Sequence, residues 1–87
     1  FESLDYPVTE RRFNSYYAEF TAKEPTRPHA HPGVEFIYAL HGTLAIHVGV
    51  DAHVLQQGDS MYFDSSAPHA YQRRAGRTCS AIVVTAS

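Results

Sequence analysis

Glu35-Phe36-Ile37-Tyr38-Ala39-Leu40, then His41-Gly42, then Thr43-Leu44-Ala45-Ile46-His47-Val48: the fold turns on how this run is read. β-Branched and aromatic residues dominate it, and no apolar stripe recurs at helical spacing. In an extended chain successive side chains point to opposite faces. Glu35, Ile37 and Ala39 therefore share one face of a strand, and Phe36, Tyr38 and Leu40 the other. Beyond Glu35 both faces are apolar, so this strand is expected to be covered on both sides. Ala81–Thr85 repeats the pattern, with Ile82 and Val84 alternating with Ala81 and Val83.

Outward from this run the same rhythm continues. No stretch of ten residues places apolar side chains at i, i+3, i+4 and i+7, so long helices are not expected. Strands are expected over Phe13–Thr21, Pro28–His31, Glu35–Leu40, Thr43–Val48, Ala52–Leu55, Ser60–Phe63, His69–Arg73 and Thr78–Thr85. Turns are expected at His41-Gly42, Gly49–Asp51, Gln57–Asp59, Asp64–Pro68 and Arg74–Arg77, where Gly, Pro, Asp or Ser suits a reversal. Many short strands joined by tight turns argue an all-β sandwich or barrel.

The 87 residues fit one domain with one core, read as a lead-in over 1–12 and a barrel over 13–85. With 7 basic and 9 acidic residues the net charge is −2, which argues against a surface that grips phosphates by itself. The single cysteine, Cys79, has no partner for an internal disulfide and reads as a small buried apolar residue. The longest apolar stretch, Phe36–Leu40, falls far short of the roughly 18 residues a membrane span needs. No signal-peptide pattern is present and the first residue is Phe. A cytoplasmic segment of a longer chain is expected.

Six histidines are many for this length, and they are unevenly placed. His29 and His31, two apart, share a face of an extended segment. Pro32-Gly33 then turns the chain, Glu35 follows, and His69 arrives after the Ser65-Ser66-Ala67-Pro68 loop. Three imidazoles and one carboxylate make a ligand set for a divalent transition metal (Zn, Ni, Fe or Mn) and leave a position open.

These residues resemble the cupin family. His29-x-His31-x3-Glu35-x6-Gly42 matches most of the first cupin motif, and Gly58 through His69 part of the second. By this chain's composition the first string arises by chance on the order of 10⁻³. Lys23, Asp64, Ser66 and Arg73 stand where the motifs have Gly, Pro, Gly and Asn, and none of these four is a metal ligand in the family. The resemblance implies a small jelly-roll barrel with His29, His31, Glu35 and His69 as ligands. The wording His-x-His-Pro-Gly-x-Glu-Phe-Ile-Tyr, then Gly-Asp-Ser-x-Tyr-Phe-Asp-Ser-Ser-x-Pro-His, is similar to the C-terminal sensor domains of bacterial XRE-type helix-turn-helix regulators. That implies a small-molecule effector, and DNA contact only through a helical domain preceding Phe1. The alternative is a small metal-dependent enzyme of the oxygenase or isomerase class, with Asp64 or Tyr71 as acid or base.

Three expectations complete the reading. Tyr71 and Arg73 continue the face of His69 and are the candidate effector-binding residues, Arg73 through its planar fork. His41, His47 and His53 are expected to face solvent. The apolar outer face carrying Phe36, Tyr38 and Leu40 is expected to pair two copies in a homodimer.

Overall fold

The computed structural model describes residues 2–3 and 13–86. Apart from Glu2–Ser3, the lead-in expected over residues 1–12 lies outside the described residues. The strands are β1 (Glu2–Ser3), β2 (Phe13–Phe20), β3 (Val34–Val48), β4 (Asp51–Leu55), β5 (Ser60–Asp64) and β6 (His69–Ala86). All pair antiparallel in one sheet of order β1-β2-β6-β3-β4, with β5 also on β3. No helix occurs among the described residues. The fold is all-β, as the alternation required.

Three expected boundaries are corrected. His41-Gly42 does not end a strand, because β3 runs straight through it for 15 residues. The pairing of β3 with β6 shifts register between Ala39 and Leu44, the signature of a bulge. Gly42 has φ 80°, and a Cβ there would lie 2.8 Å from the Thr78 carbonyl oxygen and 3.0 Å from Cys79 Sγ. Only glycine fits that approach. Likewise Arg74–Arg77 is not a turn between strands. It is the middle of β6, where Ala75 still faces Thr43 and Gly76 takes φ 86°. Pro28–His31 in turn is no strand. It keeps a single bridge, His29 to His69, because Pro28 and Pro32 have no N–H to continue a ladder.

The bulge changes which parity faces inward. Before it Ile37 and Ala39 are buried; after it Leu44 and Ile46 are. The first half of β3 pairs with β5 and its second half with β4. Residues of both halves nevertheless belong to one core, with Phe20, Leu55, Phe63, Tyr71, Cys79 and Val83. The sheet must therefore curl until its two inner faces meet, which is a barrel. Each fully buried Ile or Leu here contributes about 1.5–3 kcal/mol through loss of apolar surface to water. Cys79 is buried as expected, its thiol donating to the Thr43 carbonyl at 3.0 Å.

Candidate metal centre

Two of the four expected ligands come from strands. Glu35 sits one residue into β3 on the inward face with Ile37, and His69 opens β6. They are 2% and 1% exposed. The other two come from the extended segment of residues 21–33, which lies along β6 without forming a ladder. His29 and His69 exchange both backbone hydrogen bonds, at 3.0 and 2.9 Å. His31 N–H donates to the Ser65 carbonyl at 2.9 Å, and Ser65 N–H donates to the Gly33 carbonyl at 3.0 Å. Gly33, with φ 106°, lets the chain turn from this segment into β3.

The structure brings all four side chains together. One ligand atom from each of His29, His31, Glu35 and His69 lies within 4.8 Å of every other. His31 Nε2 is 3.3 Å and His69 Nε2 is 3.5 Å from Glu35 Oε1. The His29 and His69 ring centres are 4.2 Å apart.

Hydrogen bonding indicates what this cluster is suited to hold. His69 Nδ1 lies 2.9 Å from the Ala67 carbonyl oxygen, which can only accept, so Nδ1 carries the proton. In the neutral ring the lone pair of Nε2 then faces the carboxylate oxygen of Glu35. Glu35 Oε2 and His69 Nε2 are buried with no hydrogen-bond partner. Unpartnered electron-rich atoms buried this close together cost a few kcal/mol unless a cation, a proton or a hydrogen-bond donor satisfies them. Three nitrogens and a carboxylate, with no thiolate, fit a borderline divalent ion. The Ala67 carbonyl supplies the outer support that fixes a ligating ring's tautomer.

A cavity of about 300 Å³ opens onto His29, His31 and Glu35 and is walled by Tyr16, Tyr71, Val83 and Thr85. Tyr71, buried, also borders a second cavity of about 200 Å³ with Arg73, Glu19, Thr21, Glu24 and Thr26. Arg73 lies in this neighbouring cavity. Its Nε donates to the Thr21 carbonyl at 3.0 Å, and a terminal nitrogen donates to the Gly76 carbonyl. Asp64 is corrected as an acid–base candidate. It points to the outer side and accepts from Ser66 N–H at 2.9 Å and Ser66 Oγ–H at 2.7 Å, which holds its carboxyl below the usual value of 3.8. His41 and His53 are exposed, whereas His47 is half-buried and bonds Gln72 Oε1 at 3.0 Å.

Three further residues at this site stand outside the set of expected site residues. Tyr16 was readable, because period two places it on one face with buried Ala18 and Phe20. Thr26 was not: its N–H donates to the Tyr71 carbonyl at 2.8 Å and its hydroxyl accepts from Tyr71 N–H at 2.9 Å. Ser65 was not either. It is fully buried with an unpartnered hydroxyl, and its backbone holds both His31 and Gly33.

Residues 16–85 match the family model Cupin_2, described as a cupin domain. The chain belongs to the cupin family. No curated protein sequence matches it. Among solved structures, the Cupin_2 domain of an XRE family transcriptional regulator from Enterobacter cloacae superposes with TM-score 0.88 at 15% identity, covering 99% of this chain and 93% of that one. An HTH_3 family transcriptional regulator from Vibrio cholerae gives TM-score 0.82 at 22% identity, covering 98% of this chain. This cupin chain spans 48% of that regulator's length. FeII HppE gives TM-score 0.70 at 22% identity, covering 85% of this chain and 42% of that one. At these identities the likeness is one of fold, shared by regulators and by HppE alike.

Proposed function

We propose that this cupin domain holds a divalent transition metal (Zn, Ni, Fe or Mn) on His29, His31, Glu35 and His69, and senses a small molecule beside it for a DNA-binding regulator. The carrying observation is that Glu35 Oε2 and His69 Nε2 are buried without a hydrogen-bond partner inside the four-residue cluster. When bound, the metal supplies a Lewis-acid centre and an anchor for an oxygen or nitrogen donor of the guest. Tyr71 walls both cavities and Arg73 borders the smaller one, which suits a small acid or amine-bearing metabolite. Glu19 and Glu24 on the same wall favour the amine end.

The sensor role draws support from the regulator-like motif wording and from the regulator domains that share the fold. In this proposal the parent protein is cytoplasmic, its helix-turn-helix domain contacts DNA, and two copies pair. Effector binding changes DNA affinity only if the guest prefers one geometry of that pair. The enzyme alternative uses the same four ligands, with Tyr16 or Tyr71 as the acid–base group at the cavity.

Calorimetric titration with Zn(II), Ni(II), Mn(II) and anaerobic Fe(II) is expected to give one site per chain. Operator binding by the full-length protein is then measured with metal supplied or chelated, across small acids and amines. A shift in DNA affinity is the expected result. Metal-dependent turnover with no effect on DNA binding would defeat the sensor reading in favour of the enzyme.

A further inference from the structure

Among the described residues, three buried side-chain polar atoms have no hydrogen-bond partner. Glu35 Oε2 and His69 Nε2 belong to the candidate metal centre, and the third is Ser65 Oγ. Ser65 is 0% exposed. Its backbone is fully committed, because its N–H donates to the Gly33 carbonyl and its own carbonyl accepts from His31 N–H. The turn around it is fixed as well. The Asp64 carboxylate accepts from Ser66 N–H and Ser66 Oγ–H, and the Asp64 carbonyl accepts from Ala67 N–H. The backbone therefore sets where the Ser65 side chain starts, and rotation about its Cα–Cβ bond aims the hydroxyl. Alanine would fill this place with nothing polar to bury. A serine here costs free energy unless its hydroxyl finds an acceptor.

Register identifies the acceptor within reach. Glu35 lies opposite Phe63 across β3 and β5, and both are buried on the inner face. Ser65, two residues on from Phe63 and equally buried, shares that face. Glu35 and Ser65 are then diagonal neighbours with Cβ atoms about 7 Å apart, a gap that a side chain as long as glutamate spans. Glu35 Oε1 is turned toward His31 Nε2 and His69 Nε2, so Oε2 is the oxygen left over. A hydroxyl without an acceptor and a carboxylate oxygen without a donor thus hold adjoining positions in one buried site. We infer that Ser65 is a positioning residue: in the metal-loaded site its hydroxyl donates to Glu35 Oε2 and keeps Oε1 aimed at the three imidazoles. Thr85 carries a competing hydroxyl, directly opposite Glu35 across β3 and β6. It is half-buried and borders the open cavity, where water or a guest competes for it. Ser65 meets no such competition.

The inference rests on the metal site proposed above, and its test separates the two. Zinc is titrated calorimetrically into wild type, Ser65→Ala and Thr85→Val. Ser65→Ala is expected to weaken zinc about 10-fold, as loss of a ligand's outer support does. Its metal-free form should be at least as stable in urea, because an unpartnered buried hydroxyl is gone. A merely structural hydroxyl would lower that stability instead. The zinc-loaded minus zinc-free infrared spectrum then reads the Glu35 carboxylate itself. Losing a donor on Oε2 is expected to move its antisymmetric stretch to higher frequency in Ser65→Ala, whereas Thr85→Val should leave it in place. A Ser65→Ala chain that binds zinc as tightly as wild type with an unchanged spectrum overturns the inference and leaves the metal centre standing. So does one that is less stable without metal or fails to fold, and so does a shift confined to Thr85→Val. A wild type that takes up no zinc ends the metal reading and this inference with it.

Discussion

The two halves of the candidate ligand set sit in different structural settings. Glu35 and His69 belong to long strands, are buried, and are flanked by Ile37 and Tyr71 of the core. His29 is exposed and His31 partly so, on a segment interrupted by prolines and held by a handful of backbone bonds. One half is preorganised by packing before any ion arrives. The other is ordered by few contacts and stands to gain most from an ion that ties it down. Half of the candidate site thus comes from the sheet and half from a segment outside any ladder.

The sharpest way to break the comparison is to substitute one residue from each half. Glu35→Ala or His69→Ala removes a ligand that the core already positions, and zinc affinity is expected to fall at least 1,000-fold by calorimetry. Glu35→Gln should lose metal as well, yet leave the metal-free protein at least as stable in urea, because a poorly partnered buried charge is gone. His29→Ala, from the exposed half, is expected to weaken zinc by about 10–100-fold. Equal losses at His29 and His69 would show that the two halves are not mechanically distinct.

Metal removal probes the same contrast without mutation. Adding a chelator to the zinc-loaded protein is expected to speed hydrogen exchange mainly at the backbone amides of residues 21–33. Protection in β3 and β6 should change little. Uniform loss of protection across the barrel would contradict a preorganised sheet side.

A smaller effect is expected from the tether between the halves. Thr26→Ala deletes the hydroxyl that accepts from Tyr71 N–H, costing about 1 kcal/mol of stability. It should also weaken zinc up to about 10-fold, as loss of outer support does. Thr26→Ser should restore both. A Ser variant that behaves like Ala would assign the effect to lost methyl packing instead.

The smallest effect is far from the ligands. Hydrogen bonds from Ser66 lower the carboxyl of Asp64, which is fully exposed. A lowered folded value means a stabilisation fully present above 3.8 and lost as pH falls through the folded value. Urea melts of Asp64→Asn against wild type should therefore differ slightly at pH 6 and converge as the pH falls through that lowered value. Zinc affinity should be unchanged at neutral pH, because Asp64 borders the outer side.

Local stereochemistry explains how much was readable in the chain alone. Alternation of side chains depends only on an extended backbone, so Glu35 with Ile37 and Ala39, His29 with His31, and His69 with Tyr71 could be placed on common faces in advance. That the four clustered residues would share faces, and the all-β class, follow from that and from the motif. A glycine, however, looks the same in sequence whether it ends a strand or bulges within one. Gly42 and Gly76 were read as turns, and only the pairing of β3 with β6 made them bends inside continuous strands. The contact of Thr26 with Tyr71 spans 45 residues and has no local signal. Arg73 shares a face with His69, yet the curl of β6 and the carbonyls of Thr21 and Gly76 place it on a neighbouring cavity. Faces are set residue by residue, whereas which faces meet depends on long-range pairing, whose energy appears only when the barrel closes.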